Sequence, residues 1–379
     1  MELSFTGSEF KLNNVAFSGI PFLTDQDMKL VNVPNKYLYE IALVHGRTRS
    51  PRTWKTYGNH LYEFFSFLEE NNLAWQQVDQ LQIAIWRNAM LDRGLKRSTV
   101  NARIRLVSDF YRWTLRRHLI KEVPYETKDV WVAKPKGFLA HVDVSGNRID
   151  ANDLTLPAFK PLPQFLIKAE ARKFINALSP RRNQLMAYLM LLCGLRREEV
   201  VRLNQCVLPN PSGYPSNRGL KMVLDPRLTP TKGSKARWVL VPYPLASALW
   251  EYMHWQRPKL VELYRKKHGL DTDFLFLSHY GESISLEGMN NTFRKASEKC
   301  GIKCTPHRLR HTFGTYEFLR MSETKGMDGA LHWVRDRMGH NSIATTEIYV
   351  HAADLVNHDE IDSYQADICA LLRGENSGD

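Results

Sequence analysis

The decapeptide PHRLRHTFGT, Pro306–Thr315, sets two histidines and two arginines within five positions. Such a group repels itself in an apolar core, so His307, Arg310 and His311 call for an anion to gather around. Three other stretches carry residues able to act on the same anion. CGLRREEVVRL ends an apolar helix in Gly-Leu-Arg and sets Glu199 three residues after Arg196. TKGSKARWVLVP reads as a hairpin tip bearing Lys232 and Lys235, followed by a β-rich return strand. MGHNSIATTEIYVH sets His340 nine residues before Tyr349. Taken singly, three of these have ordinary explanations: an exposed turn, a solvated hairpin tip, packing residues at a helix end. The His-x-x-Arg-His cluster is harder to explain that way.

Together and in this order, Arg196, Lys232, His307, Arg310, His340 and Tyr349 resemble the active site of the tyrosine recombinases, the phage-integrase-like enzymes. The family's pattern is an arginine in a Gly-Leu-Arg-x-x-Glu box, a lysine on a β-hairpin, a His-x-x-Arg-His box, a Gly-His box and a tyrosine nucleophile. The resemblance is strong over residues 161–351. Over residues 47–121 it is weaker and implies the family's helical core-binding domain. A phosphodiester transition state gathers negative charge on its non-bridging oxygens, which Arg196 and Arg310 suit as planar, bidentate donors. His307 and His340 would add donors aimed at the same oxygens. The resemblance implies that Tyr349 attacks phosphorus, leaving a 3′-phosphotyrosyl link and a free 5′-hydroxyl. It assigns the general acid for that leaving group to Lys232, with Lys235 as the alternative. Glu199 and His311 are expected to orient the group. The covalent link conserves phosphodiester energy, so no cofactor is implied, neither ATP nor a metal. Two stretches are longer than the family's habit: residues 122–163, and the segment between His311 and His340.

The rest of the chain must hold these residues around DNA. The 379 residues carry a formal net charge of +12, which points to a polyanionic partner. Residues 46–121 hold 14 Lys/Arg against 6 Asp/Glu, whereas residues 1–45 hold 3 against 5. Within the basic segment, Ser50 and Pro51 predict the start of a helix whose stripe is Trp54, Tyr57, Leu61, Phe64, Phe65 and Leu68. A second helix is expected over residues 78–91. A third, from Ser98, carries Val100, Ile104, Val107, Tyr111 and Leu115 on one face. Arg103, Arg105, Arg112 and Arg116 cover much of its remainder, either as a solvated surface or, as the local charge favours, as a face laid on phosphates. Five cysteines at irregular spacing argue against a disulfide framework. No signal peptide or membrane span is expected, and a reducing cytoplasmic setting near a bacterial nucleoid fits best.

The expected fold is mainly α with a small β-sheet, a two-domain DNA clamp. Its parts are an N-terminal extension (1–45), a helical core DNA-binding domain (46–121), a linker holding a short hairpin (122–163), an α-rich catalytic domain (164–356) and a C-terminal tail (357–379). The tail's stripe of Ile361, Tyr364, Ile368, Leu371 and Leu372 is expected to dock on a neighbouring protomer, with docking on its own domain as the alternative. The expected function is site-specific recombination of a mobile element, whether integration, excision or inversion, through a Holliday junction. Its partners would be double-stranded DNA with specific sites, a homo-tetramer on synapsed DNA and accessory factors, with no membrane. A type IB topoisomerase-like relaxing enzyme and a degenerate integrase acting as a regulator are the alternatives.

Overall fold

The computed structural model describes residues 1–44, 50–131, 148–152, 154–157, 163–231, 235–340, 346–353, 368–370 and 372. Lys232, the 232–234 turn, Ile361, Tyr364 and Leu371 lie outside these residues. The chain divides into two compact units, Met1–Lys160 and Pro161–Asp379.

In the N-terminal unit, β1 (Glu2–Phe5) pairs antiparallel with β4 (Pro21–Thr24), and β2 (Lys11–Leu12) with β3 (Val15–Ala16). Four helices follow: α1 (Asn32–Leu43), α2 (Pro51–Glu70), α3 (Gln80–Asp92) and α4 (Arg97–Arg116). The stripe of α2 is buried as expected except for Tyr57, which is half-buried. Pro51 sits in the first turn, but Ser50 makes no side-chain cap. The cap that does form is Asp79 on α3, whose side chain accepts from Gln82 N while Gln82 returns the bond to Asp79 N.

Residues 1–44 are built into this bundle. Leu23, Tyr37, Leu38 and Ile41 share one core with Phe64, Trp86 and Phe110. Gly58 lets α2 meet β4, since a Cβ there would fall 2.5 Å from Pro21 Cβ. The stretch read as a linker contains a hairpin, β5 (Thr127–Trp131) with β6 (Arg148–Asn152). It is tied to the bundle on both sides of that hairpin. Tyr125 is buried with its hydroxyl on Ser108 O, and Asn101 holds both main-chain groups of Leu156.

The C-terminal unit contains α5 (Lys168–Ala177), α6 (Arg181–Cys193), α7 (Arg197–Val201), and the antiparallel pair β7 (Leu220–Leu224) and β8 (Arg237–Val241). It continues through α8 (Tyr243–Glu251), a π turn (Tyr252–Gln256), α9 (Arg257–His268), α10 (Leu286–Cys300), α11 (Pro306–Met338) and α12 (Ile348–Ala353). From Leu185 to Cys193 every residue of α6 is buried, which makes it the central helix of the unit. α11 is two helical pieces meeting at Gly326, whose φ of 70° breaks the helical path. No described helix is long and apolar enough to cross a membrane. None of the five cysteines forms a disulfide, and four are buried; Cys206 is exposed.

The described part of the tail follows the alternative, docking on its own domain. Ile368, Cys369 and Leu372 pack into the core of the chain's own C-terminal unit, and Arg181 donates to Leu372 O at 2.9 Å. The apolar flank of α6 offers these residues burial without the entropic cost of association. Ile368 is fully buried, so Ile368→Ala should destabilise the C-terminal unit by about 2–4 kcal/mol. Urea unfolding of the full chain would read this as an earlier transition of that unit, and an unmoved transition would remove the tail from its core.

Candidate active site

The site forms where the ends of α6 and α11 meet β8. Gly194 ends α6 in the left-handed region, with φ 65°. A Cβ at this glycine would lie 2.4 Å from the Phe313 ring, so only glycine allows both the turn and the approach of α11. The next turn presents Arg196 just before α7. Three residues on, Glu199 accepts from Arg196 N at 2.7 Å and from Arg196 Nη1 at 3.0 Å. The Gly-Leu-Arg-x-x-Glu spacing thus caps a helix and pairs a guanidinium in the same six residues.

Arg310, on the first piece of α11, is 3% exposed and donates to Gly194 O and Met338 O. Arg196 Nη2 donates to Gly339 O at 2.6 Å. A third arginine completes the set. Arg237 forks onto Glu199 with bonds of 2.7 and 2.6 Å, and its Nε donates to Arg337 O at 3.0 Å. Three consecutive carbonyls at the C-terminus of α11 therefore each accept from a different arginine, at the negative end of the helix dipole.

Arg237 was missed in the sequence, although a signal was present. Alternation along β8 puts residue 237 in the inward row with Val239 and Val241, opposite Leu224, where a guanidinium needs a buried partner.

The electrostatics follow from this packing. Burial pushes the Glu199 carboxyl up, but hydrogen bonds and charge from Arg237, the charge of Arg310 and the Arg196 amide hold it at about 2. Arg310 is brought down to about 9 by burial and by the charge of Arg196, against the opposing pull of Glu199. His340 is lowered to about 3 by burial, then by Arg310, Arg196, His311 and Arg237. His311 is likewise lowered to about 3, by burial, His307 and Arg310. Two guanidinium groups thus bond to one carboxylate and a third adds its charge nearby, beside histidines kept neutral. A cavity of about 860 Å³ opens over them, lined by Arg196, Arg197, Arg294, Lys303, His307, Arg310 and His340.

Tyr349 is fully buried on α12. Its hydroxyl lies 3.0 Å from His311 Nδ1, and its ring is nearly parallel to that of His340, with centroids 6.3 Å apart. Burial raises its pKa, and the charge of Arg310 draws it back down. The ring rests on Gly314, where a Cβ would fall 2.4 Å from Tyr349 Cζ. His307 is exposed, with its ring 4.2 Å from that of His311. His340 Nδ1 is 3.0 Å from Thr346 Oγ1. Lys235 is exposed.

The four arginines proposed for DNA do not converge. Arg105, Arg112 and Arg116 fall on one face of α4, at spacings of seven and four. Arg103 turns the other way, to Glu63 at 3.2 Å, with 15% of its side chain exposed.

Comparison with known proteins agrees with this geometry. The phage integrase family matches residues 164–355, more than half of the 379-residue chain. The chain belongs to that family. The N-terminal SAM-like domain of phage integrases matches residues 37–118. Tyrosine recombinase XerC of Listeria monocytogenes serotype 4a is 27% identical over 308 residues, covering 80% of this chain and 88% of XerC. XerC of Lactobacillus delbrueckii subsp. bulgaricus is 26% identical, covering 82% and 92%. Among solved structures, XerH recombinase in a post-cleavage complex with difH substrate gives a TM-score of 0.56 at 17% identity, covering 87% of this chain and 84% of XerH. Lambda integrase bound to a core site gives 0.54 at 14% identity, covering 83% and 95%. This is the two-domain fold of the tyrosine recombinases, mainly helical with small sheets.

Two outcomes test the integrase site. His311 and His340 have folded values near 3, below the ordinary 6.5, so the unfolded chain binds more protons between those limits. Stability should therefore fall as pH drops through that window. His311→Asn and His340→Asn should each flatten the dependence of Tm on pH by about one proton; a slope unchanged in both would mean that these rings titrate normally. Gly314→Ala should expel the Tyr349 ring. One more phenol should then titrate near its ordinary value of 10 in ultraviolet difference spectra, and adding Tyr349→Phe should remove it.

Proposed function

We infer that this recombinase cleaves one DNA strand at a time by attack of the Tyr349 hydroxyl on a phosphodiester. Site-specific DNA recombination is the activity of its family, and the relatives named above are recombinases. One observation carries the mechanism: beside a tyrosine, Arg196 and Arg237 bond to the carboxylate of Glu199 and the buried Arg310 adds a third positive charge with no carboxylate of its own. That excess of positive charge is a waiting place for an anion. A phosphate in the cavity would be met by Arg196 and Arg310, with His307 and His340 as further donors, and its transition state would gain most because it carries more charge. Neutral His311 sits within reach of the phenol and can take its proton. The products are a 3′-phosphotyrosyl bond and a 5′-hydroxyl, protonated by Lys232 or by Lys235. Tyr349 is covered when DNA is absent, so α12 must shift for the hydroxyl to reach phosphorus.

DNA is the partner that this chemistry demands. Arg105, Arg112 and Arg116 form the phosphate-facing stripe of α4, while Arg103 supports the bundle through Glu63. Strand exchange between two sites requires four protomers on synapsed DNA, with accessory factors setting direction, in the nucleoid of a bacterial cell. Neither a relaxing topoisomerase nor a regulator without chemistry draws support from the relatives.

Tyr349→Phe should leave DNA affinity unchanged and abolish the covalent adduct on a nicked duplex, without metal or ATP. Arg196→Ala or Arg310→Ala should keep the adduct but slow it by roughly 10²–10³-fold. An adduct persisting in Tyr349→Phe would assign the nucleophile elsewhere.

A further inference from the structure

We propose that Arg237, at the start of β8, is a positioning residue for strand cleavage, locking Glu199 to the last turn of α11 and thereby fixing Arg196 and Arg310 in the phosphate cavity. The proposal rests on the assignment of those two arginines to the scissile phosphate.

Arg237 does not line the cavity where the phosphate would sit. Its side chain is 7% exposed, and all three guanidinium nitrogens donate. The fork holds both oxygens of Glu199, and Nε holds Arg337 O. Lysine could make one of these bonds but has no planar fork to make all three. Glu199 passes the constraint to Arg196 through both its main-chain amide and its guanidinium. The next two carbonyls after Arg337 receive Arg310 and Arg196.

Two neighbours hold the joint in register. Gly339, at φ 62°, ends α11, and a Cβ there would stand 3.0 Å from Arg237 Cδ. The Arg337 guanidinium lies over Trp238, the residue after Arg237, at 3.3 Å from the ring centroid, and over Trp333 at 4.2 Å. Strand and helix end are thus pinned beside the very bonds that Arg237 makes.

The charged and titratable groups facing Glu199 are Arg196 beside α7, Arg237 on β8, Arg310 on α11, and His340 after it. Burial works against the Glu199 charge, and Arg237 is the main counterweight. Without Arg237, Glu199 should begin to bind a proton within the range where cleavage can be measured.

The probe is a nicked duplex carrying a recombination site selected by its binding to the wild-type protein, with adduct formation followed from about pH 5 to 9. Arg237→Met should slow the adduct about 100-fold at the alkaline end, the scale of a small misplacement of reacting groups. It should also gain an acid limb that the wild type lacks. Arg237→Met with Glu199→Gln should lose that limb, because the titrating group is gone. Arg237→Lys should suppress the limb by restoring charge, yet remain about tenfold slow because the fork is missing. A purely structural role would shift Tm and leave the pH profile flat.

Wild-type rate and profile in Arg237→Met, or an acid limb surviving in the double variant, overturns the proposal. If Arg237→Met does not fold, Arg237→Lys decides, and a rate equal to wild type overturns it. No adduct from the wild type would instead overturn the phosphate assignment on which the proposal rests.

Discussion

The site depends on one arrangement, the burial of three guanidinium groups against one carboxylate and the last carbonyls of a helix. Burying a charge is expensive unless it is paired, and here pairing is only partial. Glu199 neutralises one charge, and the carbonyls of residues 337–339 supply the negative end of the α11 dipole to all three. The remaining positive potential is what a phosphodiester would experience on arrival. Because the donors are fixed before the ligand comes, little reorganisation is left for the chemical step.

The same potential shapes the tyrosine and its neighbours. His311 and His340 stay neutral because burial and the adjacent arginines penalise a further charge. A neutral imidazole can accept a proton, and His311 Nδ1 is beside the phenol of Tyr349. Tyr349 in turn is shielded from solvent by packing against the backbone of Gly314. Folding therefore keeps the phenol protonated and covered.

Much of this was legible in the sequence because the residues concerned act locally. Gly194 to Glu199 encode a turn, a cap and an ion pair within six positions, and the apolar stripes of α2 and α4 follow helical period. What escaped depends on contacts distant in sequence. Residues 1–44 read as an extension because Tyr37 and Leu38 find Phe110 and its neighbours only after folding. Arg103 looked like its neighbouring arginines, but helical rotation turns it toward Glu63. Arg237 and the carbonyl of Arg337 are a hundred residues apart, and no local pattern joins a strand residue to a helix end.

The break at Gly326 makes α11 behave as two rods joined by a swivel. One rod carries Arg310, His311 and Gly314; the other delivers three carbonyls and then His340. The second rod is registered by β8, through Arg237 on Arg337 O, and by the first rod, through Arg310 on Met338 O, so a change of length near Gly326 is tolerated only where both sets of bonds still form. The turn at Gly326 is then a place where the chain could lengthen while the bonds at both ends of α11 are kept. It is a natural entry point for insertions that change what the outer surface meets.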